Sequence, residues 1–101
     1  MKQLYFTTEL ADGTVLESST ILPDFLLWET TAKKHGWSVV PSENPNRWES
    51  FLGWATLKRL GLYTGTYEAF TTGDVVNLDG SVEHSGADRD LAGRGIRKSV
   101  R

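Results

Sequence analysis

Reaction chemistry needs side chains that can hold a proton, a metal ion or a covalent bond, and this chain offers few of them. It has no cysteine, which removes thiolate nucleophiles, thiolate metal sites and disulfides together. Its histidines are His35 and His84. His35 falls at a helix end with no carboxylate four residues away, and neighbouring Lys34 opposes both its protonation and the approach of a divalent cation. His84 stands beside Glu83, and two adjacent residues make a poor metal cage. Glu29 and Glu49 can be paired on paper as acid and base, yet helix-borne carboxylates of this kind are ordinarily solvated or salt-bridged. The glycines and cations between Gly86 and Gly95 do not make a phosphate loop, because no strand precedes them and no Lys-Ser/Thr pair opens a helix after them. Asp79-Gly80 followed by Glu83 is too short for a calcium loop. No catalytic residue, metal ligand or cofactor site is therefore expected, and the chain reads as a binding protein.

The elements around these residues predict a single α+β domain over 1–82, with an N-terminal hairpin packed on two or three helices. Residues 3–9 and 14–19 read as two strands, the first rich in strand formers and the second partly alternating, and Asp12-Gly13 lies between them. Asp-Gly supplies the positive φ that a tight hairpin turn requires. Pro23-Asp24 opens a helix over 24–35, since proline suits the first turn and an acid complements the N-terminus. Lys33, Lys34 and His35 close it and Gly36 caps it. Trp37–Pro41 reads as extended, with a short strand possible, and Ser42–Asn46 as a turn cluster. A second helix runs from Pro45 or Asn46 to Leu60, with Lys58 and Arg59 in its last turn and Gly61 beyond. A third starts after Thr66, a suitable N-cap, and carries Tyr67, Phe70 and Val75.

Beyond Val82 the apolar pattern stops, and 83–101 reads as a flexible basic tail. From Glu83 onward five bases face three acids, a balance of +2, so with a net charge of −2 the first 82 residues carry −4. An acidic body argues against a nucleic-acid surface on the folded part. No apolar run reaches the length of a secretory signal or a membrane span.

Helix geometry sorts the apolar residues. Each residue turns the helix by about 100°, so if Phe25, Trp28 and Ala32 face the core, Leu26 and Leu27 point away from it. In the second helix Trp48, Phe51, Leu52 and Ala55 form the stripe, Trp54 lies at its edge and Leu57 nearly opposite Trp48. Either the second helix is buried on more than one side, or Leu26, Leu27, Trp54 and Leu57 form a surface that receives a partner.

The order of these segments resembles the tail assembly chaperones of long-tailed (siphovirus-type) bacteriophages. The likeness is carried by the hairpin, Trp28-Glu29, Ala32-Lys33-Lys34-His35-Gly36-Trp37, Phe51-Leu52-Gly53-Trp54-Ala55-Thr56-Leu57-Lys58-Arg59-Leu60-Gly61 and Thr66-Tyr67-Glu68-Ala69-Phe70, and covers roughly 4–78. Thr72-Gly73 departs from it, where a longer third helix is typical. The resemblance implies a non-enzymatic protein of the host bacterial cytoplasm. Such a protein coats the apolar-striped tape measure protein, with the tail tube protein or further copies of itself as additional partners, and so promotes tube assembly. Two other classes fit a chain of this size. One is a virion structural component such as a head–tail connector or minor tail protein. The other is a small nucleic-acid-binding regulator using Arg94, Arg97, Lys98 and Arg101.

Overall fold

The computed structural model describes residues 3–82 and the backbone of 96–98. The elements are β1 (Tyr5–Leu10), β2 (Thr14–Ser19), α1 (Leu22–His35), a 3-10 turn (Pro41–Glu43), α2 (Pro45–Leu60), the single turn α3 (Tyr67–Ala69), a π turn (Phe70–Asp74), β3 (Val75–Ser81) and β4 (Ile96–Lys98). The fold is α+β: an antiparallel sheet in the order β3-β1-β2-β4 with helices packed on it. The Asp-Gly hairpin forms as its sequence dictates. Gly13 takes φ 91°, its N–H donates to the Leu10 carbonyl at 2.9 Å, and Asp12 Oδ1 accepts from the Thr14 N–H.

Both long helices end in the same device. Gly36 and Gly61 adopt φ of 74° and 75°. The following N–H groups, of Trp37 and Leu62, reach back to the carbonyls of Ala32 and Leu57 at 2.8 and 2.9 Å. This is the Schellman arrangement, in which the residue after the glycine is folded back onto the helix it terminates. It turns Trp37 onto α1 and sets half-buried Leu62 against Leu16, Leu57 and Phe70.

Packing settles the position of α2. Phe51, Leu52, Gly53, Ala55, Thr56 and Leu57 are all buried, and the helix lies against α1, β2 and β3. Leu4, Phe6, Trp28, Ala32, Phe51, Leu52 and Ala55 make one cluster. Leu16, Leu57 and Phe70 make a second, and half-buried Trp54 packs against both. Gly53 lets β3 close on α2, since a Cβ there would lie 3.1 Å from Leu78 Cδ1. An ion pair ties the layers: Arg59 Nε and Nη2 each donate to Asp24 at 3.1 Å, and Nη2 also donates to the Ser19 carbonyl at 2.7 Å.

Four expectations are corrected. The third helix lasts one turn and passes into a π turn, and Val75 begins a strand instead of ending a helix. Gly73 and the β-branched residues around it favour that outcome over a continued helix. Trp37–Val40 joins no strand, because the Schellman turn directs Trp37 into side-chain packing. The hairpin is the centre of a four-stranded sheet, with β3 on the β1 edge. Leu57, named as one of four candidate partner-binding residues, is fully buried against Leu16 and Phe70, so the alternative of a helix buried on more than one side holds for it. The tail reading for 83–101 lies outside the described residues, except that Ile96–Lys98 pair with Thr14–Leu16 as β4.

Candidate functional site

The largest aromatic grouping lies where the end of α1, the middle of α2 and the single turn α3 meet. Trp28, held in the core, stacks on Trp37 at 6.2 Å between ring centroids, and its Nε1–H donates to the Val39 carbonyl at 3.2 Å. Phe51 contacts Trp28, Trp54 and Tyr67 at centroid distances of 5.6, 5.4 and 5.6 Å. Tyr67 meets Trp54 edge to face at 5.8 Å. Tilted and edge-on pairs at these distances are the favourable geometries for aromatic quadrupoles.

Polar tips are anchored so that the rings are held in place. Trp54 Nε1–H donates to the Gly65 carbonyl at 3.0 Å. The Tyr67 hydroxyl shares a 2.7 Å hydrogen bond with Ser50 Oγ. Tyr67 is presented by the turn that Thr66 caps, where Thr66 Oγ1 accepts from the Ala69 N–H.

These rings wall an open cleft of about 540 Å³ lined by Leu27, Thr31, His35, Trp37, Arg47, Phe51, Trp54, Thr66, Tyr67, Glu68 and Thr71. That volume falls within the range of about 300–1,000 Å³ usual for ligand clefts. A second cleft of about 530 Å³ adjoins it across Tyr67, sharing Arg47, Tyr67 and Thr71. Its other walls include Asn44, Asn46 and Ser50 beside Phe70, Val75 and Leu78, so it is the more polar of the two. Over the Trp37 ring lies the Arg47 guanidinium, 4.2 Å from the centroid, and the His35 imidazole stacks on the same ring at 4.6 Å. Lys58 Nζ lies 5.7 Å from the Trp54 ring.

The residues singled out from sequence separate into three groups. Leu27, 45% exposed, and Trp54 come together as walls of the aromatic cleft. Leu26, 52% exposed, lies outside it on the outward side of α1 with Leu22, one helical turn earlier. Leu57 is in the core. Trp37, Arg47 and Tyr67 were not singled out, and they complete the site. For Trp37 the signal was present in the Gly36-Trp37 pair, because an apolar residue after a helix-capping glycine packs back on the helix. Arg47 and Tyr67 carry no comparable local signal, since only tertiary packing brings them to Trp37 and Phe51.

Of the groups considered for chemistry, His35 lines the cleft against Trp37, while Glu49 Oε2 lies on β3 at Gly80, 3.3 Å from where a Cβ would stand. Glu29 is exposed on α1, and Asp79-Gly80 is part of strand β3. His84 and Gly86–Gly95 lie outside the described residues. Among the described residues there is no group of three or more His, Cys, Asp or Glu side chains placed to hold a metal ion. No helix among them is long and apolar enough to cross a membrane. Among the described residues the one strongly shifted titrating group is Tyr63, which does not line the cleft. Burial, then its hydrogen bond and charge contact with Asp74, pushes its hydroxyl up to about 12. Compared with models of protein families, with curated proteins and with solved structures, the chain matches none.

Proposed function

We propose that this domain is a non-enzymatic protein-binding module whose cleft takes apolar side chains of a helical partner. On the resemblance of its sequence to phage tail assembly chaperones, that partner is a tape measure protein. The observation that carries the reading is the cleft itself. Four aromatic rings, from Trp37, Phe51, Trp54 and Tyr67, line an open hollow with the exposed Leu27 at its wall. Exposed apolar surface that is concave and hydrogen-bonded into a fixed shape is better suited to receiving a side chain than to solvation. A long apolar-striped helix would aggregate in the host cytoplasm, and many copies of a small acidic domain could keep it soluble, each through a weak contact.

The test is co-expression with the product of the longest open reading frame beside this gene, followed by pull-down and size-exclusion chromatography. A stable complex is expected, with Leu27→Asp weakening it by about tenfold or more while circular dichroism stays unchanged. Absence of any complex with the native domain refutes the tape measure assignment. A complex indifferent to Leu27→Asp places the contact away from this cleft. Mass spectrometry of purified virions is expected to find the protein missing, whereas a structural component would be retained.

A further inference from the structure

The cleft has a charge pattern as well as an apolar one. The first 82 residues carry a net −4, yet the aromatic wall is flanked by cations. Arg47 lies 4.2 Å over Trp37 and Lys58 lies 5.7 Å from Trp54, while Glu68 is the single acid among the lining residues. Arg59, by contrast, spends its charge on Asp24. Among the described residues no carboxylate forms an ion pair with Arg47, whose guanidinium carbon lies over the Trp37 indole. A stacked guanidinium keeps a planar fork of donors that matches a carboxylate. Arg47 also lines both clefts, so a chain crossing from the apolar hollow into the polar one passes it.

Resting on the binding reading above, we infer that the occupant is an acidic amphipathic helix. One of its apolar side chains fills the hollow of Trp37, Phe51, Trp54 and Tyr67, and a carboxylate close to that anchor is read by Arg47. Lys58, 5.7 Å from the Trp54 ring, adds positive charge nearby. A basic apolar helix is rejected at the same place, because it would bring like charge against a cation already fixed by stacking.

The experiment uses the full chain and two synthetic helical peptides with leucine at identical heptad positions. One carries Glu, and the other Lys, at the positions flanking the leucines. Binding is followed through the tryptophan fluorescence of the protein at low and at high salt. The Glu peptide is expected to bind about tenfold or more tighter at low salt, with the gap narrowing as salt screens the charges. Arg47→Gln, which keeps the aliphatic stem over Trp37, is expected to reduce the preference to about threefold or less. Arg47→Lys is expected to give an intermediate value, because it keeps the charge and loses the fork. Equal affinity for both peptides, with Leu27→Asp abolishing both, leaves the cleft as a binding site and overturns the acidic-partner inference. An unchanged preference in Arg47→Gln overturns the role given to Arg47. Failure of both peptides to bind overturns the inference and the cleft reading together.

Discussion

Removing the carboxylate of Asp24 tests how the helical layer is joined to the sheet. Asp24 is 4% exposed and accepts three hydrogen bonds: from the Ile21 N–H at 2.8 Å, and from Arg59 Nε and Nη2 at 3.1 Å each. The first satisfies a free donor at the start of α1 and contributes about 1 kcal/mol, as helix caps do. The other two are charge-assisted, and such bonds contribute about 1.5–3 kcal/mol when buried. Arg59 is 28% exposed in its side chain and keeps the Ser19 carbonyl, so water recovers part of that loss. Asp24→Ala is therefore expected to cost about 2–4 kcal/mol, a large share of the roughly 5–15 kcal/mol typical of a domain. At about 4–8 °C per kcal/mol, Tm falls by about 8–32 °C.

The opposite truncation sharpens the test. Arg59→Met leaves a nearly inaccessible carboxylate whose remaining donor is the Ile21 N–H, and an unpaired buried charge costs more than an unpaired half-exposed one. Arg59→Met is thus expected to destabilise at least as much as Asp24→Ala, and the double variant less than the sum of the two. Equilibrium urea unfolding, followed by tryptophan fluorescence and by circular dichroism, gives all three values. A cost below about 1 kcal/mol for Asp24→Ala, or additive losses in the double variant, would refute this account of the joint.

Leu57→Ala is expected to cost about 2–5 kcal/mol in urea unfolding, because the side chain is fully buried between Leu16 and Phe70. Leu26→Asp is expected to shift stability by less than about 0.5 kcal/mol and to leave peptide binding within about twofold, as its side chain is exposed outside the cleft. Thr8→Val is expected to stabilise the fold modestly, by about 0.5–1 kcal/mol in the same assay, since Thr8 Oγ1 is buried with no hydrogen-bond partner among the described residues. The folded state holds the Tyr63 hydroxyl neutral up to about 12 against the ordinary 10.0. Its contribution is thus complete below pH 10 and is lost as pH rises toward 12. Tyr63→Phe should flatten the fall of Tm across that window and remove a late-titrating signal from the tyrosine absorbance.

The parts of the fold that were legible are those fixed by local chemistry. Asp12-Gly13 specified the hairpin, Pro23-Asp24 the start of α1 and Gly36 and Gly61 the ends of both long helices, and each acts within a few residues of itself. Strand β3 was hidden because its partner is remote. Val75–Ser81 contains Asn77, Asp79 and Gly80, poor strand formers, and its pairing is set by β1, some seventy residues earlier in sequence. Gly80 has a tertiary reason to be there: a Cβ at that position would approach Phe6 Cε1 to 2.9 Å. Leu57 shows the same dependence. Periodicity placed it off the main stripe of α2 and could not reveal a second cluster, built from Leu16 and Phe70, on that other side.

The same distinction explains what could be read of the site. Leu26 and Leu27 are neighbours about 100° apart on α1, and helix geometry alone removes both from the core without saying which one meets a cleft. The choice falls to Leu27 because Trp37, turned back by the Gly36 cap, and Tyr67, hydrogen-bonded to Ser50, build walls on its side of the helix. The cleft thus depends on a backbone cap at one end and a side-chain hydrogen bond at the other, with Phe51 and Trp54 of the central helix also lining it. Arg47 completes it from the first turn of α2, where a cation gains nothing from the helix dipole. Its stacking on Trp37 is the compensation visible in the structure, and a carboxylate from a partner would complete its hydrogen bonding.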